Sequence, residues 1–185
     1  MRCSYNFNSN KLSRKHLPMA STSIQTVPSS SPSSSKPHPE YDVFLSFRGE
    51  DTRIIFTDHL YYALTDQGII TFKDDKELDK GKPISPELLD AIEKSRVAVI
   101  ILSKMYASSS WCLEELAKIV ECMKEGGLII LPIFYHVDPG HVQHQRGTFG
   151  EAFANHEVKN PDKVQKWRYA LTTVADLAGH HLKDG

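Results

Sequence analysis

The chain has 185 residues, with 22 Lys and Arg against 23 Asp and Glu and a formal net charge of −1; that suffices for one domain with a sizeable buried core but not comfortably for two. No apolar run approaches the roughly 20 residues that cross a bilayer as a helix, so the sequence reads as a soluble protein with no membrane contact. The near-neutral total hides an asymmetry: residues 1–39 carry Arg2, Lys11, Arg14, Lys15 and Lys36 and no acid, which leaves the remainder acidic and argues against a nucleic-acid groove there.

Those first 39 residues hold few large apolar groups and contain the run Pro28-Ser29-Ser30-Ser31-Pro32-Ser33-Ser34-Ser35. Such a composition does not offset the entropy of ordering, so a disordered leader is expected, followed by a domain over residues 40–185. The Ser-rich, basic, acid-free character also fits an organelle transit peptide, and Met19-Ala20-Ser21 reads as an alternative start.

From Tyr41 the pattern changes to alternating strand-like and helix-like segments. Tyr41 to Phe47 is aromatic and β-branched and predicts a strand. Phe56, Leu60 and Leu64 recur at helical spacing until Gly68 stops them, and Ile69 to Phe72 predicts a second strand. A charged loop follows, Asp74 to Lys82. Ser85 and Pro86 supply an N-cap and a first-turn proline for a helix carrying Leu88, Leu89 and Ile92. Val97 to Ser103 is apolar on both faces, as a central parallel strand should be.

The serines Ser108 to Ser110 precede a helix whose stripe is Leu116, Ile119, Val120 and Met123, ended by Gly126-Gly127. Leu128 to Tyr135 predicts a fourth strand and Asp138-Pro139-Gly140 a turn opening a surface loop. Helical patterns return at Phe149 to His156 and at Val164, Trp167, Leu171 and Val174, before a short fifth strand over Ala178 to Leu182. His141 and His144 stand at helical spacing, but no Cys or acidic cluster completes a ligand set, and no metal is expected. Of three cysteines, Cys112 and Cys122 fall in one predicted helix about 15 Å apart, too far to pair, which suits a reducing compartment such as the cytoplasm, with the nucleus as the alternative.

This alternation predicts right-handed βαβ crossovers: an α/β, flavodoxin-like fold whose five-stranded parallel sheet, in the order 2-1-3-4-5, is flanked by helices. In that order a ligand is expected beyond the carboxyl ends of strands 1 and 3, where the winding reverses. Phe47-Arg48-Gly49-Glu50-Asp51 and the stretch Ser103 to Trp111 form that edge.

Five separated motifs then carry a resemblance. They are Tyr41-Asp42-Val43-Phe44-Leu45-Ser46-Phe47-Arg48-Gly49-Glu50-Asp51-Thr52-Arg53; Asp74-Asp75 with Leu78, Gly81 and Ile84; Trp111-Cys112-Leu113-Glu114-Glu115-Leu116; Pro132-Ile133-Phe134-Tyr135-His136-Val137-Asp138-Pro139; and Trp167-Arg168 with Ala170-Leu171. In this order they resemble the TIR (Toll/interleukin-1 receptor) domains of plant immune proteins, at the amino terminus of TIR-NB-LRR receptors or in TIR-only proteins. The likeness runs from about Tyr41 to the C-terminus. It implies assembly with other TIR domains, in homo-oligomers or with hetero-TIR partners. It also implies hydrolysis of NAD+ or NADP+ as substrate, with no prosthetic group, and initiation of defence and cell death.

By the same resemblance Glu115 is the catalytic carboxylate. Cleaving the bond to nicotinamide needs little acid catalysis, because the leaving group is cationic and departs neutral; it needs a carboxylate beside an oxocarbenium-like ribose. Glu115 lies four residues after Trp111 and seven after Ser108, on one helical face, and Glu114 points about 100° away. The helix dipole is expected to favour its ionised form. Phe47 and Trp111 offer aromatic faces, Arg48 and Arg53 cations for pyrophosphate, and Ser109 a hydroxyl for a ribose, with Gly49 in the same turn. Asp75 and Lys80 stand in the loop that borders the family's site. Without the resemblance, Glu115 reads as a solvated carboxylate, Phe47 and Trp111 as core, and Arg48 and Arg53 as surface charges paired with Glu50 or Asp51.

Two departures bear on assembly. Where the family's first-helix interface presents Ser-His, this chain has Asp58-His59, and two copies of Asp58 would approach across a twofold axis. Gly179 matches a glycine of the second interface, and also suits a left-handed helix end. No helix pattern follows the fifth strand, which fits either a piece of a longer receptor or a short TIR-only protein. A catalytically silent adaptor is the rival function. A flavodoxin or a phosphorylated receiver is opposed by Arg48-Gly49-Glu50-Asp51, where a hydroxyl-rich phosphate loop is needed, and by Ser103-Lys104, where a receiver needs Asp.

Overall fold

The computed structural model describes residues 39–74 and 84–183. The expected leader, apart from Pro39, and the loop residues Asp75 and Lys80 lie outside the described residues. The five strands are β1 (Tyr41–Phe47), β2 (Thr71–Lys73), β3 (Ser95–Leu102), β4 (Ile129–Tyr135) and β5 (His180–Leu182). All neighbours pair in parallel, in the order β2-β1-β3-β4-β5, as the alternation predicted.

The helices are α1 (Gly49–Thr52), α2 (Asp58–Asp66), α3 (Pro86–Glu93), α4 (Ser110–Lys124), α5 (Pro139–Gln143), α6 (Thr148–Lys159) and α7 (Pro161–Ala175). A π-helical turn, Arg53–Thr57, joins α1 to α2. Ser85 caps α3 by accepting the Leu88 N–H at 3.2 Å, with Pro86 at the first position. Gly68 and Gly126, at φ of 78° and 81°, end α2 and α4 in the left-handed conformation that a side chain disfavours. Asp138-Pro139-Gly140, expected as a turn into a loop, instead opens α5, because Asp138 caps its first N–H groups and proline suits its first turn.

Two apolar layers enclose the sheet. Phe44, Ala98, Ile100 and Leu102 face the layer of α3, α4, α6 and α7, which holds Trp167 and Leu113. Val43, Leu45, Phe47, Val99 and Ile101 face the opposite layer, where Phe56, Leu60 and Leu64 pack. Side chains alternate along a strand, so Ser46 shares the face of Phe44 and meets α4, while Phe47 points to the other side. That alternation decides which residues reach one another at the carboxyl edge.

Candidate functional site

Ser46 is a fully buried hydroxyl near the end of β1, within its apolar stretch Val43 to Phe47. It is held against Glu115, which α4 delivers from its second turn and which is only 6% exposed. The Ser46 Oγ lies 2.9 Å from Glu115 Oε2 and 2.8 Å from the Tyr106 hydroxyl. Tyr106 in turn donates to the Cys112 carbonyl at 3.1 Å.

Protons can be counted along this chain. With Glu115 ionised, Ser46 donates to it and Tyr106 donates to Cys112, leaving the short Ser46–Tyr106 contact without a hydrogen. With Glu115 protonated, Glu115 donates to Ser46, Ser46 to Tyr106 and Tyr106 to Cys112, and every contact is a hydrogen bond. Burial acts in the same direction: it raises the Glu115 pKa from 4.5 to about 8, opposed by the Ser46 hydrogen bond and assisted by the negative charge of Asp74. The helix dipole was expected to favour the carboxylate. Desolvation of a side chain this deep outweighs it, so the acid is mostly neutral at pH 7. Read without the resemblance, Glu115 is a solvated carboxylate; in the structure it is buried. Glu114 faces elsewhere and pairs with Lys163 of α7, so the two adjacent carboxylates diverge as the helical phase required.

The other expected residues divide between the two faces. Phe47 is core, 7% exposed on the side of the sheet away from Glu115, with the Arg53 guanidinium 5.1 Å from its ring centroid. Its proposed stacking surface is therefore covered. Arg53 also donates to the Asp74 carbonyl at 3.2 Å. Gly49 makes room for this: a Cβ there would stand 2.9 Å from Arg53 Nη2. Arg48 forms ion pairs with Glu50 and Asp51, so its charge is spent within its own turn.

Ser109 is the N-cap of α4, accepting the Cys112 N–H at 3.3 Å, and its oxygen is occupied in that role. Trp111, in the first turn of α4, is half-buried. Ser46, Tyr106 and Asp51 were not singled out from the sequence. The signal for Ser46 was a lone hydroxyl within the buried apolar strand Val43 to Phe47. Asp51 joins two loops, accepting from Ser103 Oγ at 2.5 Å and from the Met105 N–H at 3.1 Å while paired with Arg48.

The assembly residues lie elsewhere. His59 is exposed on α2, and Asp58 beside it binds Lys73 Nζ at 2.9 Å, so that acid is partly neutralised within its own chain. Gly179 is not left-handed, as a helix end would require; it precedes β5, and its role is close approach, since a Cβ would meet the Pro132 carbonyl at 2.5 Å. A cavity of about 760 Å3 opens beyond β3 and β4, with Asp51, Ser103 and Met105 on its near wall; Glu115 is not among its lining residues. The cavity shares Asp51, Ser103, Lys104 and Met105 with the expected ligand edge and extends from it to the end of β4. Among the described residues no helix is long and apolar enough to cross a membrane.

Comparison with known proteins bears directly on this arrangement. The family model described as TIR domain matches residues 40–185. Disease resistance protein RPV1 of Vitis rotundifolia is 59% identical over 167 residues, 90% of this chain but 12% of that protein. TMV resistance protein N of Nicotiana glutinosa is 53% identical over 150 residues, 80% of this chain and 13% of that protein. Among solved structures, the TIR domains of the activated Roq1 resistosome, which directly recognizes the pathogen effector XopQ, superpose with a TM-score of 0.72 at 56% identity, covering 77% of this chain and 87% of that one. The chain thus spans about an eighth of the length of these curated relatives.

Proposed function

The chain belongs to the TIR domain family, and from that premise we propose that it is a self-associating plant immune signalling domain that hydrolyses NAD+ with Glu115 as its catalytic carboxylate. The observation that carries the chemistry is the buried Glu115, held by Ser46 at the carboxyl end of β1. In the reaction the C1′–N bond breaks with its electron pair passing to nicotinamide, which leaves neutral. Water then adds to C1′ of the oxocarbenium-like ribose and loses a proton. An ionised carboxylate stabilises the developing cation, and in a site this shielded its charge acts at low dielectric.

The resting proton on Glu115 fits this scheme. The nicotinamidium is a fixed positive charge, and its approach favours the carboxylate form. The base is therefore released by the substrate that needs it. Assembly supplies what a single copy lacks: Arg48 is spent on Glu50 and Asp51, and Phe47 is turned into the core. Ile54 and Ile55, 79% and 71% exposed on the π-helical turn, stand with exposed His59 as an apolar surface for another TIR domain. Initiation of plant defence and cell death is the consequence this reading assigns to the assembled form.

The spent Arg48 and inward Phe47 equally favour a second reading, a silent adaptor that acts only through TIR–TIR binding. Measuring NAD+ loss with the chain dilute and then clustered on a scaffolding surface separates the two. Turnover that rises steeply on clustering supports the enzyme, and clustering without NAD+ loss supports the adaptor. Full turnover by a demonstrated monomer contradicts activation by assembly.

A further inference from the structure

The cavity beyond β3 and β4 is chemically distinct from the Glu115 site. Two carboxylates line it, and both are occupied. Asp51 is bound by Arg48, Ser103 and the Met105 N–H, and Asp138 accepts the N–H groups of Gly140 at 2.8 Å and His141 at 3.3 Å. Against these stand Lys104 and Arg146, two exposed cations on opposite sides of the cavity in sequence, neither making an ion pair or side-chain hydrogen bond with a described residue. The uncompensated charge of the cavity is positive.

Its walls are built from fixed backbone. Thr148 Oγ1 donates to the Lys104 carbonyl at 2.7 Å, tying the end of β3 to the start of α6. Gly147, at φ 57°, precedes α6 and provides no side-chain cap, and Gly147, Thr148 and Phe149 at the start of this 12-residue helix line the cavity. His136, also on the wall, is held left-handed at φ 53°, a conformation that costs a non-glycine residue and concentrates at ligand sites. Met105 is exposed and the rings of Tyr135 and His136 meet edge to face at 4.2 Å, so apolar and aromatic surface lines the cavity together with the cations. The volume of about 760 Å3 falls in the ~300–1,000 Å3 range of small-molecule pockets.

We propose that this cavity is a second site that binds a phosphorylated nucleoside, separate from the Glu115 site. Its phosphate sits between Lys104, Arg146 and the first turn of α6, and its base lies against Met105 and the Tyr135 and His136 rings. Two flexible cations from different loops, with the start of α6 on the same wall, suit a phosphate better than a carboxylate, since each phosphate oxygen accepts a charge-assisted bond.

The test is calorimetric titration of the full chain with AMP, adenosine and inorganic phosphate as separate probes. AMP is expected to bind, with adenosine and phosphate each at least about tenfold weaker. Arg146→Ala and Lys104→Ala, both exposed positions whose folding is checked by thermal melting, should each weaken AMP by about tenfold. Arg53→Ala and Glu115→Gln should leave AMP binding unchanged. No AMP binding, AMP binding indifferent to both cations, loss of binding in Arg53→Ala alone, or phosphate binding as tightly as AMP overturns the assignment. NAD+ cleavage is not a readout, so this result is independent of the catalytic proposal.

Discussion

Replacing Glu115 by Gln should stabilise the protein increasingly as pH rises from about 5 to about 8, while leaving it nearly unchanged in mild acid. Burial raises the Glu115 pKa from 4.5 to about 8. Between those values the folded chain holds a proton that the unfolded chain has released, so stability falls as pH rises through the window. At about 1.4 kcal/mol per pH unit, full ionisation of Glu115 withdraws about 5 kcal/mol from the fold, a large share of the roughly 5–15 kcal/mol that holds a domain together. Glutamine keeps the length and a donor for Ser46 and has no such proton. Chemical denaturation of both proteins from about pH 5 to about pH 9 measures the difference directly, because titrations not coupled to Glu115 cancel between them. The Gln variant should gain on the parent by roughly 3–5 kcal/mol across that range, with most of the gain below about pH 8. Parallel stability curves would refute the reasoning, since they would mean a carboxylate that titrates alike in folded and unfolded chains.

Catalysis should show the opposite face of the same titration. If the ionised Glu115 is the working form, kcat/KM rises with pH to a midpoint near about 8, and kcat, which reports the bound state, shifts to a lower midpoint because the positive nicotinamide ring beside it favours the carboxylate. Ser46→Ala removes the hydrogen bond that lowers this pKa, so the kcat/KM midpoint should move up; an unmoved profile would show that Ser46 does not set it. Gly49→Ala places a Cβ against the flexible end of Arg53, so it should cost under about 1 kcal/mol in thermal stability yet reduce NAD+ cleavage by displacing that guanidinium; unchanged activity would free Arg53 of a role. Gly179→Arg should lower the melting temperature, at a cost of about 1–3 kcal/mol or more, because its side chain starts inside contact distance of the Pro132 carbonyl; an unaltered melt would restore it as a clean interface probe.

Much of the fold was legible because each strand and helix carries its own period. Ser85-Pro86 and Gly68 marked their helix ends through local backbone chemistry, and β3, apolar on both faces, declared itself central. The π-helical turn Arg53–Thr57 was not legible, since Phe56, Leu60 and Leu64 keep the same spacing after it and only the backbone between β1 and α2 reveals it. The α5 helix was hidden because Asp-Pro-Gly serves equally as a turn and as a capped helix start. At the site, the divergence of Glu114 and Glu115 followed from helix geometry alone. The burial of Glu115 did not: it depends on Ser46 of β1, 69 residues away in sequence, meeting α4, with Tyr106 from the segment between β3 and α4 bonded to the same hydroxyl. Phe47 shows the complementary error, since period-two alternation from Phe44 already turned it away from α4, and its proximity in sequence to Arg48 and Gly49 obscured that.

The proposed reaction depends on one carboxylate, and the most direct measurement is NAD+ loss by the clustered chain carrying Glu115→Gln beside the same chain carrying Glu114→Ala. Glu115→Gln should abolish cleavage while remaining folded, and Glu114→Ala, which only releases a surface pair with Lys163, should retain most of it. Near-normal turnover in the Glu115→Gln protein, under conditions where the parent is active, would contradict the central claim outright.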